Sequence, residues 1–318
     1  MKRSERGRDR KSSPKLSLNL PDLDQAKSAV LNSLPSKESQ RGYRHAINEF
    51  IAWYCSEPRL AFNRVVVLRY RQHLEGRALA PSTINVRLGA VRRVAYEAAD
   101  SGLLSPELAA GIRRVKGAKS LGVRIGNWLS LEQAQSLMAA RLSHTLRARR
   151  DSAMVALLLG CGLRRSELVG LEFDDLQSRD GHWLIADLVG KGRHIRTVPV
   201  PLWVKAAIDE WTTAASITSG HLFRPVRKNG AVMTRRLTQN VVWYVVKEAA
   251  SRCGIAALAP HDLRRTCARL CHAAGGELEQ IQFLLGHASV QTTERYIGCK
   301  QRLAFAVNDR FQPCMAAP

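Results

Sequence analysis

The 318-residue sequence has no long apolar run. Its longest stretch free of charged or strongly polar side chains, Ala153 to Leu163, falls well short of the ~20 residues a helix needs to cross a bilayer. It has no CxxC pair and no zinc-ligand spacing. The seven cysteines, at 55, 161, 253, 267, 271, 299 and 314, are odd in number, and a reduced, cytoplasmic protein is the simplest reading. The opening residues, MKRSERGRDRKSSPK, are basic but lack the apolar stretch of a signal peptide. Neither GxxxxGKS/T nor HExxH occurs, and no carboxylate constellation typical of two-metal nucleases stands out. The expectation is therefore chemistry with no metal and no cofactor. No internal repeat is visible.

Negative charge is scarce as well. Twenty-seven Asp and Glu stand against 49 Lys and Arg, a formal net charge of +22. A polyanion is the default partner of such a chain. Of the cations, 37 are Arg and 12 Lys. Arginine suits planar, bidentate contact with phosphate, although a GC-rich genome accounts for the ratio equally well. Such a genome does not account for the excess of positive charge. Residues 1–120 carry 23 basic and 11 acidic side chains, and residues 121–318 carry 26 and 16. Two basic halves fit a clamp around a phosphate backbone, and a ribosomal or nucleoid protein would share this balance. The 45% hydrophobic content is that of an ordinary globular protein, with enough apolar material for a core in each of two domains.

The patterning predicts a mainly α protein with a small antiparallel β-sheet. Residues 1–20 read as a basic disordered tail. Residues 21–118 read as an all-α domain of four or five helices. Ser36 and Asn63 stand as helix caps, Pro81 opens a further helix and Gly102 closes it. Tyr43, Ile47, Phe50, Ile51 and Tyr54 recur at helical spacing. The stretch from 111 to 128 is rich in glycine and base and lacks apolar periodicity, with the linker proper at 119–127. Residues 128–318 read as an α+β domain. It starts with a capping box at Ser130 and Gln133, and short strands follow between Asp175 and Pro201. Helical patterns then run from His261 almost to the end.

Four segments carry candidate chemistry. In GCGLRRSELVGLEFDDL (160–176), a glycine-bearing bend precedes Arg164; a solvated arginine is the ordinary alternative. In VGKGRHIRTVPV (189–200), two glycines flank Lys191 at a hairpin tip, which could equally be a plain polar turn. In APHDLRRTCARLCHAAGG (259–276), His261 and Arg264 lie three apart on one helix face, as a capping histidine and a surface arginine also would. In LLGHASVQTTERYIG (284–298), His287 follows a glycine and Tyr296 ends a short helix, where packing is the ordinary use of a tyrosine. Together these are two arginines, a lysine, two histidines and a tyrosine. That inventory suits attack of a tyrosine on a phosphodiester. A phenol with a pKa of ~10 needs a base or a cationic field. Guanidiniums can hold the non-bridging oxygens, and a lysine or histidine can protonate the leaving oxygen.

The order GLRRSEL, GKGRHIRTVPV, HDLRRT, LLGHASVQTTERY closely resembles the tyrosine recombinase, or phage integrase, family over residues 130–300. The resemblance implies phosphate binding by Arg164 and Arg264, and general acid catalysis by Lys191. It implies acid/base work for His261, phosphate support from His287, and a 3′-phosphotyrosyl intermediate on Tyr296. Arg165 and Arg265 are adjacent alternatives, but the family's G-L-R and H-x-L-R patterns select 164 and 264; Glu167 is structural. The first domain is similar to the family's SAM-like core-binding domain. Its segment INVRLGAVRRVAYEAADSGLL is like the helix that lies on duplex DNA, which makes Asn85, Arg87, Arg92 and Arg93 candidate contacts.

The resemblance further implies a homotetramer on two paired double-stranded DNA sites, with accessory DNA-bending proteins as possible partners and no membrane association. Roles in DNA integration, mobile elements or chromosome resolution are all open to such a protein. A last helix in KQRLAFAVNDRFQ, through Leu303, Phe305, Ala306 and Phe311, would dock on a neighbouring protomer or fold back on its own domain. The lack of a separate arm-binding domain ahead of the core-binding region points to a simple recombinase on short core sites. A type IB topoisomerase shares the tyrosine chemistry, and a catalytically silent DNA-binding regulator would share the charge.

Overall fold

The computed structural model describes residues 15, 17–56, 61–119, 127–139, 145–190 and 194–297. The chain divides into two compact units, Met1–Val123 and Arg124–Pro318.

The first unit is all helical: α1 (Leu20–Asn32), α2 (Lys37–Ser56), α3 (Arg64–Gly76), α4 (Pro81–Asp100) and α5 (Pro106–Arg113). The predicted caps form. Ser36 Oγ accepts the Ser39 N–H at 3.1 Å, and Asn63 Oδ1 accepts those of Val65 and Val66 at 2.9 and 3.2 Å. The apolar stripe of α2 turns inward. Phe50 is fully buried against Tyr54, Phe62 and Tyr70, with ring centroids 5.6, 5.5 and 5.0 Å away. Helix α4 is the centre of this core, burying Leu88, Val91, Val94, Ala95 and Ala98 completely.

Two expectations change at the edges of this unit. Part of the predicted tail packs: Leu18 is buried, and Lys15 Nζ pairs with Asp22 at 2.7 Å. The start of the predicted linker is also structured, because α5 runs to Arg113 and Ile112 and Val115 are buried. Two apolar residues three apart are too few to show as a period, yet they are enough to pin a short segment. Residues 120–126 of the linker lie outside the described residues.

The second unit contains α6 (Leu131–Ala139), α7 (Leu146–Gly160), α8 (Arg165–Gly170), β1 (Leu176–Arg179), β2 (His182–Val189), β3 (Ile195–Val200), α9 (Leu202–Ala214), α10 (Gln239–Arg252), α11 (Pro260–Ala273), α12 (Leu278–Leu285) and α13 (Val290–Ile297). Ser130 and Gln133 form the expected reciprocal box before α6, at 3.0 and 3.2 Å. The strands make an antiparallel sheet in the order β1-β2-β3. Helix α7 is the buried spine: Ala153, Met154, Ala156, Leu157 and Leu158 have no exposure. The helical run from His261 is broken twice, at Gly275–Gly276 and at Gly286, giving three helices. Among the described residues no helix is long and apolar enough to cross a membrane.

Candidate active site

Two glycines at helix ends shape the site. After α7, Gly162 adopts φ +59, and a Cβ there would meet Leu285 Cδ2 at 2.8 Å. Gly286, which ends α12, adopts φ +61, and a Cβ there would lie 2.9 Å from Arg196 Cδ. Left-handed backbone with no room for a side chain requires glycine at both positions. The carbonyls thereby exposed become acceptors for arginine. Arg264 Nη1 donates to Gly162 O at 2.5 Å and its Nη2 to Leu285 O. Arg164 Nη2 approaches Gly286 O at 3.4 Å. Residues from three helix termini and α11 are thus drawn to one place.

The two arginines differ in exposure. Arg264 is 1% exposed, and burial followed by the repulsion of Arg164 brings its guanidinium down to about 10, still charged at neutral pH. The Arg164 side chain is 27% exposed. Its Nη1 pairs with Glu167 Oε1 at 2.7 Å, while its backbone N–H caps α8 by donating to Glu167 Oε2 at 2.8 Å. Arg196 completes this network. Its Nη1 and Nη2 bind the same carboxylate at 3.1 and 2.9 Å, and its Nε donates to Leu284 O at 3.0 Å. Burial alone would raise the Glu167 carboxyl, but the hydrogen bonds from Arg196 and Arg164 hold it at about 2. Glu167 thus ties Arg164 and Arg196 together. Arg196, two residues past His194 in the GKGRHIR motif, was not singled out in the sequence; nothing local marks a strand arginine that reaches a helix 29 positions away.

Tyr296 lies between the two histidines. Its ring centroid is 5.3 Å from that of His261 and 5.1 Å from that of His287, both edge-on. Its hydroxyl donates to the His261 backbone carbonyl at 3.2 Å. The Arg265 guanidinium sits over the ring, 4.9 Å from its centroid, so the adjacent arginine touches the tyrosine. Burial pushes the Tyr296 phenol up to about 12 against the opposing pull of Arg264 and Arg265. His287 shares a 3.0 Å hydrogen bond with the buried Thr293 hydroxyl. Burial and then Arg264 and Arg164 bring its imidazole down to about 4. His261 is lowered too, by the packing against it and by Arg265 and Arg264. Burial and the neighbouring arginines thus favour the neutral form of both imidazoles.

Five of the six predicted catalytic residues, Arg164, His261, Arg264, His287 and Tyr296, thus meet in this region. Lys191 lies outside the described residues. Its neighbour Gly190 abuts the site, since a Cβ there would fall 3.0 Å from Arg196 Nη1 and 3.4 Å from Arg164 Nη1. Among the described residues no group of three or more His, Cys, Asp or Glu could hold a metal ion.

The α4 residues expected on DNA separate into two kinds. Arg87 is buried, with Nε 2.6 Å from Glu49 Oε2 of a carboxylate that Arg77 also binds, so it is held inside the unit; this corrects its candidacy as a surface contact. Helical periodicity places position 87 on the inward face beside Leu88 and Ile84. Asn85 binds both polar groups of Ala118, accepting from N–H at 2.8 Å and donating to O at 3.0 Å. Arg92 donates to Val115 O. Arg93 is half-buried.

Residues 127–302 match the phage integrase family. Tyrosine recombinase XerC of Stutzerimonas stutzeri (strain A1501) is 30% identical over 273 residues, covering 82% of this chain and 85% of that protein. XerC of Xylella fastidiosa (strain M23) is 30% identical over 265 residues, covering 82% and 86%. The fold is similar to that of XerH site-specific recombinase in a post-cleavage complex with palindromic difH, at TM-score 0.66 and 18% identity over 86% of this chain and 79% of that one. It is likewise similar to a lambda integrase dimer bound to a COC′ core site, at TM-score 0.67 and 16% identity over 88% and 77%. The matched region contains the whole arginine–histidine–tyrosine site, and the chain belongs to the phage integrase family: it is a tyrosine recombinase, a DNA strand-cleaving and rejoining enzyme.

Proposed function

We propose that this protein is a site-specific recombinase in which Tyr296 attacks a DNA phosphodiester and forms a 3′-phosphotyrosyl intermediate, without metal or ATP. The observation that carries this reading is the setting of Tyr296: one phenol between two imidazoles, with Arg265 over its ring and Arg264 buried beneath the same helix cluster. With its pKa near 12 the phenol is protonated at neutral pH, so attack requires loss of its proton. His261, whose ring packs edge-on to the phenol and whose backbone carbonyl accepts its hydrogen bond, is the base we assign to take it.

Arg164 is the more open guanidinium and binds the scissile phosphate directly. Arg264 supplies fixed positive charge from the floor of the site, stabilising the pentacoordinate transition state. His287, oriented by Thr293, supports a phosphate oxygen. Lys191 protonates the leaving 5′ oxygen, so the bond from phosphorus to that oxygen breaks as the bond to the tyrosine oxygen forms. The ester retains the bond energy, and the returning 5′ hydroxyl reverses the step. Double-stranded DNA is the partner; the protein works in the cytoplasm as a tetramer on paired sites, in recombination of mobile or chromosomal DNA, with DNA-bending proteins as accessories. Arg93 is the α4 cation retained as a backbone contact.

The test is a nicked suicide duplex carrying the cognate site. The wild-type protein is expected to form an SDS-resistant protein–DNA adduct that Tyr296→Phe abolishes. No adduct on any cognate site would overturn the mechanism. Relaxation of supercoils with no exchange between two sites would assign the same chemistry to a topoisomerase.

A further inference from the structure

The segment that opens the second unit is strapped to α11. The Leu129 N–H donates to Thr266 Oγ1 at 2.9 Å in a buried bond. The next link is Trp128, whose ring centroid lies 3.7 Å from the Arg269 guanidinium carbon. Thr266 and Arg269 are three residues apart, so one stripe of α11 carries the strap. Arg269 also reaches beyond it: Nη1 donates to the backbone carbonyl of Ile297 at 2.5 Å. Ile297 ends α13, and Tyr296 immediately precedes it.

The last carbonyls of a helix have no partner within it, and an eight-residue helix has little intrinsic stability. The last turn of α13 therefore depends on what holds it from outside. A guanidinium meets two demands at once: its face stacks on an indole while its edge donates to a carbonyl. Accepting Tyr296 as the nucleophile, we propose that Arg269 is a positioning residue for it. Braced by Trp128 and bonded to Ile297 O, Arg269 fixes the last turn of α13 and so the place of the Tyr296 phenol between His261 and His287. It acts through the α13 backbone, in contrast to Arg264 and Arg265, whose charges face the site.

The experiment compares full-length Arg269→Gln, Arg269→Lys, Trp128→Ala and Trp128→Phe with the wild type. Three quantities are read: the single-turnover rate of adduct formation on the nicked suicide duplex, the dissociation constant for intact duplex, and the melting temperature. A displacement of about 1 Å at a reacting group costs on the order of 100-fold, so Arg269→Gln should slow adduct formation by roughly 10- to 100-fold. Its duplex affinity should stay within about twofold of wild type, since no reacting charge is removed. Arg269→Lys, which keeps a donor, should recover part of the rate, and Trp128→Phe should cleave nearly as wild type. Trp128→Ala should slow cleavage alone but add nothing in the Arg269→Gln background, because both act through one link. Wild-type cleavage by Arg269→Gln, full multiplication of the two losses, or a rate that falls only with affinity and melting temperature would each overturn the inference. If Arg269→Gln does not fold, equal rates for Trp128→Ala and Trp128→Phe overturn it. A wild-type protein that forms no adduct rejects the nucleophile itself; normal adducts in both wild type and Arg269→Gln reject only the role of Arg269.

Discussion

The first unit buries Arg87 and the second buries Arg150 and Arg264, and Arg87 and Arg264 are partnered differently. In the first, Arg87 lies against a carboxylate, Glu49. In the second, Arg264 is bonded to two backbone carbonyls, Gly162 O and Leu285 O. A carboxylate cancels the charge and leaves a structural pair. Carbonyl dipoles satisfy the N–H groups and leave most of the positive potential in place, available to an anion. The same residue type therefore serves cohesion at Arg87 and, in the proposed mechanism, phosphate chemistry at Arg264. Glu167 extends the contrast, because it lies inside the site yet is shared between Arg164 and Arg196, so one negative charge faces three guanidiniums.

Substituting Arg264 is the strongest way to break this comparison. Arg264→Gln should lower the adduct-forming rate by about 10²–10³-fold, the loss typical of removing one preorganised charge-stabilising donor. Single-turnover cleavage checks it, and a loss under tenfold would reduce Arg264 to a packing residue. The matching change, Arg87→Met, removes the buried member of the Arg77–Glu49–Arg87 cluster and leaves Glu49 paired with Arg77. It should cost on the order of 2 kcal/mol of stability through the lost charged hydrogen bond, read by denaturant unfolding, while the first-order cleavage rate of bound DNA stays unchanged.

Glu167 sharpens the comparison through pH. Its folded pKa of about 2 lies below its ordinary 4.5, so the carboxylate stabilises the fold above the unfolded value, and that contribution fades as pH falls from about 4.5 toward 2. Glu167→Gln should flatten the acid limb of the stability profile over that window. An unchanged acid limb would show that the Arg164–Glu167–Arg196 network does not couple to folding.

Much of the architecture was legible from local pattern. Ser36, Asn63, Pro81 and the Ser130–Gln133 box start helices because capping depends on residues within three positions of each other. The antiparallel pairing of β2 with β3 was marked by the glycines between them, and the order of the four motifs led to five residues that do converge. Three things escaped. Arg87 appeared as one cation on a basic helix, and only packing shows its pairing with Glu49, 38 positions away. Asn85 and Arg92 bind the backbone of residues 115–118, partners 23 to 33 positions away that no local spacing reveals. Arg196 and Arg265 acquire their roles from partners on other elements, and no short-range spacing encodes that.

The sequence by itself determined the elements, their caps, the charge balance, and the set of residue types able to attack and hold a phosphodiester, because each follows from composition or from neighbours a few positions apart. The tertiary structure decided which cations are cancelled and which stay active. That choice depends on burial and on the identity of the acceptor, carboxylate or carbonyl, brought from 38 positions away for Arg87 and 102 for Arg264.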